Sequence, residues 1–246
     1  MIGRPLIRLD EVDSTQRFAF DLAARGASEG TVVRAGFQSG GRGRSGRSWT
    51  VPAGEALLFS ILLRPHVPPA RLAPLSLMVG DAIASVIEET IGLPSAIKWP
   101  NDVLIGGRKV AGILIQTRLD HDTGGTIAVI GIGVNISSPR ERLPEGATSL
   151  EAELETAADA ERIFHAVLHA LGERYNDLLR GETWASLSGV EQRLWLRGET
   201  VTLDDAGHRI TGIIQGIDET GALLLTTPGG SRRVVSGELT RGPRRA

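Results

Sequence analysis

The spacing of apolar and polar positions divides the chain into short strands and longer helical stretches. Residues 5–9 (PLIRL) read as a strand. DSTQRFAFDLAARGA follows, with Phe18, Leu22 and the alanines on one stripe. Asp13 or Ser14 is a natural N-cap there, and Gly26 a stop. TVVRAGFQ (31–38) is a strand, and ALLFSILLRP (56–65) is an apolar run of strand length. Residues 39–54, SGGRGRSGRSWTVPAG, have almost nothing to bury and predict no regular structure. Residues 69–92 have helical periodicity ending at Gly92. AIKWP leads into NDVLI, then Gly106-Gly107, then RKVAGILIQ: two strands around a tight turn. TIAVIGIGVNI (126–136) predicts another buried strand, and residues 157–180 a helix with Ile163, Val167, Leu171 and Leu178 on one face. This pattern is α+β, with a mixed or largely antiparallel sheet flanked by helices.

From about residue 198 the pattern changes. Short strands alternate with the turn signals AGH, ETG and PGGS, about ten residues apart, which predicts a small all-β barrel or sandwich. The boundary falls near 190–197, giving a large unit of residues 1–192 and a small one of 196–246. A chain of 246 residues accommodates both.

Charge and composition narrow the function classes. The net charge of −2 argues against a surface that binds nucleic acid throughout, though not against a local basic site. There is no cysteine, hence no thiolate chemistry and no Cys-based metal site. His165 and His169 lie four residues apart without a third ligand, so no metal site is expected. No apolar h-region opens the chain, and no unbroken apolar run approaches the ~18 residues of a membrane span. A cytoplasmic protein without membrane contact is the expectation.

Two segments stand out chemically. From Arg34 to Arg47 the chain places four arginines and no acid among glycines and serines, before Trp49. Forked guanidinium donors on a glycine backbone suit phosphate and carboxylate oxygens, and such a loop should order around an anion. The other segment holds the only two lysines among 27 basic residues, Lys98 and Lys109. Asn101 and Asn135, two of three asparagines, lie in this segment and in GIGVNI. A two-residue turn at Gly106-Gly107 pairs Ile105 with Arg108 and Leu104 with Lys109. Lys109 then shares a face with Leu104, Ala111 and Ile113, with Asp102 diagonally across at about 7–8 Å and Gly112 on the opposite face. A lysine on an apolar face is costly without a partner or ligand; an exposed edge-strand lysine that blocks aggregation is the lesser alternative. DSTQ serves as a helix cap, and its polar groups at a helix N-terminus could also hold a ligand head.

In this order DSTQ, GRGRSGRSW, KWPND, GRKVAGIL and GIGVNI resemble the biotin–protein ligases over essentially the whole chain, the small C-terminal β unit included. The resemblance implies a class II synthetase-like α+β fold of the biotin/lipoate ligase type with an SH3-like C-terminal β-barrel. It implies two reactions: biotin and MgATP give biotinyl-5′-AMP, and a lysine of a biotin carboxyl carrier protein domain then takes the biotin. By that resemblance Ser14, Thr15, Gln16 and Gln38 meet the biotin head, with Gly41, Arg42 and Gly43 nearby. Gly112 and Gly133 line the same pocket. Arg42 and Arg44 belong to a lid over biotin and adenylate, Arg47 assists at phosphate, and Trp49 packs over the ligand. Lys109 and Arg44 are the implied catalytic residues. Lys98, Asn101 and Asn135 line the nucleotide side. The cofactors implied are ATP and Mg2+, with biotin as substrate and no protein-bound metal.

The chain departs from the family at Gln16, where asparagine is usual. The ligase pattern begins within ten residues of Met1, so a ligase without DNA binding is expected; a homodimer is compatible but not required. The rivals are a lipoate or octanoate ligase or transferase, and a non-enzymatic RNA-contacting module.

Overall fold

Strand β1 (Leu6–Val12) runs into helix α1 (Thr15–Ala24) and returns as β2 (Val32–Gln38) beside β1. The computed structural model describes residues 2–120, 123–205 and 207–242. A helix between two neighbouring strands makes them parallel, and β1–β2 is the parallel pair of the large sheet. Next come β3 (Ala56–Leu63), α2 (Leu75–Ile91), β4 (Ser95–Lys98), β5 (Asp102–Ile105), β6 (Arg108–Leu119) and β7 (Thr126–Asn135). The sheet order is β1-β2-β3-β7-β6-β5-β4, antiparallel beyond β2. The mixed sheet flanked by helices is the expected fold class.

Strict alternation sorts the central strands. Leu57, Phe59, Ile61 and Leu63 of β3, and Ala128, Ile130, Ile132 and Val134 of β7, face the main core. That core is covered by α2 and by α4 (Ala160–Arg180), which follows a short α3 (Leu150–Leu154). Phe59 meets Phe164 edge-on, ring centroids 5.1 Å apart. The opposite face belongs to α1: Ala19, Phe20 and Ala23 pack on Val33, Leu62, Ile127 and Val129. A ten-residue helix is about 15 Å long, whereas ten-residue β7 runs about 33 Å. Helix α1 therefore covers only part of its face, and the rest is open to residues 39–54.

Helix α5 (Trp184–Gln192) is not anticipated by the sequence pattern, because it is short and carries Ser186, Ser188 and Gly189. Gly189 is required by packing: a Cβ there would lie 2.4 Å from an oxygen of buried Asp81, which pairs with Arg174 and Arg193. The expectation that no apolar stretch approaches a membrane span is corrected at Pro69–Ile91, which is long enough and, over one window, apolar enough by composition. Some 72% of that window is buried inside the fold, where it serves as a core helix.

Strands β8 (Thr200–Asp205), β9 (His208–Ile217), β10 (Leu223–Thr227), β11 (Gly230–Val234) and β12 (Glu238–Arg241) form a second sheet in the order β11-β10-β9-β8-β12. The expected barrel is corrected here: among the described residues no ladder joins β11 to β12. The sheet nonetheless curls. Three residues link its two edge strands and span at most about 15 Å, less than the roughly 19 Å across five flat strands. Val201, Leu203, Ile214 and Leu239 continue the main core. The Trp99 indole donates to Gly221 O across this junction at 3.0 Å.

Candidate functional site

The uncovered part of the α1 face forms a cavity of about 870 Å³. Every site residue implied by the family resemblance lines it except Gly41. Its floor is polar, buried and uncharged. Ser14 caps α1, its hydroxyl accepting from Arg17 N, so that group is partly spent on the helix. Gln38 Oε1 accepts from both Thr15 N (2.8 Å) and Thr15 Oγ1 (3.0 Å), and Thr15 Oγ1 also meets Ser60 Oγ at 2.8 Å. With its oxygen occupied, Gln38 has its NH2 to offer. Gln16 is the reverse. Its Nε2 donates to Leu114 O (3.0 Å) and Val129 O (3.2 Å), which leaves Oε1 as its free function. Gly131 makes room for that oxygen, since a Cβ there would stand 3.1 Å away. The longer glutamine thus ties the floor to β6 and β7.

Residues 39–54 are more ordered than expected. Trp49 N donates to Gly41 O (2.9 Å) and Gly43 N to Arg47 O (2.7 Å), with a bridge between Arg42 and Ser48. This is a narrow two-stranded ribbon, turning at Ser45 and Gly46, both at positive φ. Gly41 lies behind it rather than in the cavity, because a Cβ there would be 2.4 Å from Trp49 O. Two of the ribbon's three arginines have side-chain partners. Arg44 donates to Asn101 Oδ1 at 2.9 Å, and Arg47 pairs with Glu238 of β12. Glu238 has no signal in the sequence, since only the tertiary fold brings residue 238 to residue 47.

The β5–β6 hairpin forms as predicted at its turn, with Gly106 and Gly107 both at positive φ and Leu104 opposite Lys109. The faces beyond it are corrected. A bulge at Val110 shifts the register, pairing Val103 with Ala111 and Asp102 with Gly112. Val110, Ala111 and Ile113 go into the core, while Gly112 joins Lys109 on the cavity side. The backbone explains the shift. Where β7 ends, residues 146–148 run beside Lys109, with Lys109 N donating to Gly146 O and Thr148 N to Lys109 O, each at 2.8 Å. Asp102 stays diagonally across from Lys109 on the same face, and the two side chains close the gap, with Lys109 Nζ 2.6 Å from Asp102 Oδ1. Asp102 is also the cross-strand neighbour of Lys98. Burial lowers the Lys98 ammonium pKa, and the nearby Asp102 opposes that shift.

Asn101 is fully engaged, donating to Ile113 O (2.8 Å) while accepting from Arg44. Asn135 donates to Thr148 O at 2.9 Å, and its Oδ1 is buried with no partner among the described residues. The Trp49 ring lies over Gly112 and Gly133, with Lys109 Nζ 5.3 Å from its centroid. The cavity thus joins a neutral hydrogen-bonding floor to a mouth of arginine and lysine. Such a shape can hold a neutral polar head inside and stabilise anionic oxygens outside. No group of three His, Cys, Asp or Glu that could hold a metal occurs among the described residues.

Residues 9–136 match the model of the biotin/lipoate A/B protein ligase family, and residues 197–239 that of the biotin protein ligase C-terminal domain. The biotin–[acetyl-CoA-carboxylase] ligase of Paracoccus denitrificans is 33% identical over 246 residues, covering 95% of this chain and 99% of that protein. The bifunctional ligase/repressor BirA of Bacillus subtilis is 33% identical, across 98% of this chain and 75% of its own length. Among solved structures, the biotin protein ligase of Aquifex aeolicus in complex with biotin and ATP superposes with a TM-score of 0.83 at 32% identity, covering 96% of this chain and 98% of that one.

Proposed function

The chain belongs to the biotin/lipoate A/B protein ligase family, and from that membership we propose that it is an ATP-dependent biotin–protein ligase. The observation that carries the reading is a cavity that joins a neutral floor to a cationic mouth. Biotin has a neutral ureido head, an apolar chain and a carboxylate, in that order. The floor takes the head: Gln38 donates, Gln16 Oε1 accepts, and Thr15 and Ser60 sit between them. The carboxylate then points to Lys109.

In the first reaction a biotin carboxylate oxygen attacks the α-phosphorus of ATP. The new O–P bond forms as the bond to the β-phosphate oxygen breaks, and pyrophosphate leaves with that electron pair. The nucleophile is already an anion, so the protein has little proton transfer to do. Its task is to bring two anions together and offset charge at the α-phosphate. Lys109 is placed for this, because it shares the cavity face with Leu104 and Asp102 holds its ammonium. Arg44 and Arg47 reach phosphate from the ribbon, and Asn135 Oδ1 offers an acceptor to the nucleotide. Mg2+ enters with ATP, held chiefly by phosphate and water. The closed ribbon keeps water from the mixed anhydride.

In the second reaction the neutral amine of a carrier-domain lysine attacks the acyl carbon. An amide forms, AMP leaves, and the amine proton goes to solvent. We assign both steps to residues 1–192. Residues 196–246 cap them, with Glu238 steadying Arg47. Whether the protein also binds DNA is tested by titration with operator-like duplex at physiological salt, a ligase-only protein giving no specific binding.

Pyrophosphate release from ATP, measured with biotin, with lipoate and with neither, tests the assignment. Release with biotin is the expected result. Release with lipoate alone makes the protein a lipoate ligase, and release with neither removes the enzymatic reading.

A further inference from the structure

Beyond β7 the chain makes a loop whose two feet stand together. Ser138 and Ser149 are fully buried, and the Ser149 hydroxyl donates to Ser138 O at 2.7 Å. Between them, residues 143–147 line the cavity. Thr148, also fully buried, ends this strap and meets the site twice. Its N–H donates to Lys109 O at 2.8 Å, and its carbonyl accepts from Asn135 Nδ2 at 2.9 Å. One carboxylate gathers the surroundings of the strap from outside the cavity. Glu153, in α3, accepts from the Thr148 hydroxyl and from Arg108, whose Nη2 lies 2.9 Å from each of its oxygens. Arg140, at the start of the strap, lies 3.1 Å from Glu153 Oε1. The Glu153 side chain is 10% exposed, so little water is at hand to replace these partners. Burial raises its carboxyl pKa, but the Thr148 hydroxyl and the Arg108 guanidinium outweigh burial, and the net shift is downward. Glu153 is therefore an anion near neutral pH. Arg108 directly precedes Lys109 in the hairpin, and neither Arg108 nor Glu153 lines the cavity.

We propose that Glu153 is a positioning residue that ties the strap of residues 140–148 to the Lys109 hairpin and so fixes the nucleotide side of the cavity. It holds the strap at both ends, through Arg140 and Thr148, and the hairpin through Arg108. An ionised acceptor shared by donors from three parts of the chain makes a stronger tie than a neutral one. The floor is independent of it. Thr15 bonds to Gln38 and Ser60, and Gln16 to Leu114 O and Val129 O, none of which belongs to the strap. Removing the carboxylate therefore loosens one end of the cavity and spares the other. The inference rests on the ligase reading for its effect on ATP but not for the tie itself.

Glu153→Ala and Thr148→Val, alone and combined in the full chain, test it, with thermal melting to monitor folding. Valine keeps the shape of threonine and removes its hydroxyl. Glu153→Ala is expected to raise KM for ATP in pyrophosphate release roughly tenfold, while Kd for biotin, measured by calorimetry without ATP, moves less than about twofold. Thr148→Val is expected to raise KM for ATP about threefold and to add little in the Glu153→Ala background, because both residues act through one contact. Equal rises in KM for ATP and Kd for biotin would overturn the proposal. So would a lowered melting temperature with neither constant changed. A second readout needs no substrate. The Lys109 and Thr148 amides donate to Gly146 O and Lys109 O. They are expected to exchange with deuterium about tenfold faster in Glu153→Ala, while the β3 amides keep their rates. Unchanged exchange at Lys109 and Thr148 would also overturn the proposal. If Glu153→Ala does not fold, Glu153→Gln, which keeps an oxygen for Thr148 but gives up the charge, carries the same measurements. A failed ligase reading would leave all these proteins without pyrophosphate release, while the exchange rates would still decide whether the tie exists.

Discussion

The two cationic walls of the cavity are built in opposite ways. One is the ribbon of residues 39–54, whose cations are all arginine and whose partners, Asn101 and Glu238, come from distant elements. The other is the β4–β5–β6 hairpin region, with the chain's only lysines, Lys98 and Lys109, on the strands flanking Asp102. The ribbon's position depends on what it rests on. The hairpin's is set by backbone hydrogen bonds, including those between Lys109 and residues 146–148. A forked guanidinium can exchange one oxygen partner for another as the wall moves, whereas a point charge needs a fixed wall beneath it. The comparison predicts that substitutions in the hairpin act on chemistry and those in the ribbon on binding and salt dependence.

The sharpest test is Lys109→Arg. Charge is retained, but a planar fork replaces a compact ammonium beside Asp102. Adenylation is expected to fall on the order of 10²-fold, with a much smaller loss in biotin affinity. Equal turnover would make the two walls alike. Next is Gly41→Ala, whose Cβ would meet the Trp49 carbonyl at 2.4 Å. Both atoms involved are backbone-fixed, so the ribbon must open; single-turnover measurements should show about a tenfold loss, mostly in KM for ATP. Glu238→Gln removes the partner of Arg47, an exposed pair worth ~0.2–1 kcal/mol. It should raise KM for ATP by a few-fold at low salt, the difference fading as salt is added. Gly46→Ala is the mildest. The position has φ +75° with nothing within 4 Å, so the cost is backbone strain of about 1 kcal/mol. Denaturant unfolding would register it while turnover changes little.

The hairpin also marks where the sequence stops being legible. Its turn and first two pairs follow from Gly106-Gly107 alone. The bulge at Val110 does not, because its cause lies some forty residues away in the segment that hydrogen-bonds Lys109. One inserted residue reverses every face beyond it, which is why Gly112 belongs with Lys109 rather than opposite it. Gln16 shows a similar limit. An amide at that position is visible in the sequence, but its capture by Leu114 O and Val129 O is not.

By itself the sequence determined the element order, the mixed α+β fold class, the candidate site residues and the resemblance to biotin–protein ligases. Those follow from periodicity, turn chemistry and motif spacing, which are local along the chain. Only the tertiary structure decided that the C-terminal sheet is curled but unclosed, that Glu238 meets Arg47, that Asp102 clamps Lys109, and that the indole of Trp49 lies on two glycines. Each of these depends on contacts between residues far apart in sequence, and such contacts are set by packing and by which backbone groups remain to be paired.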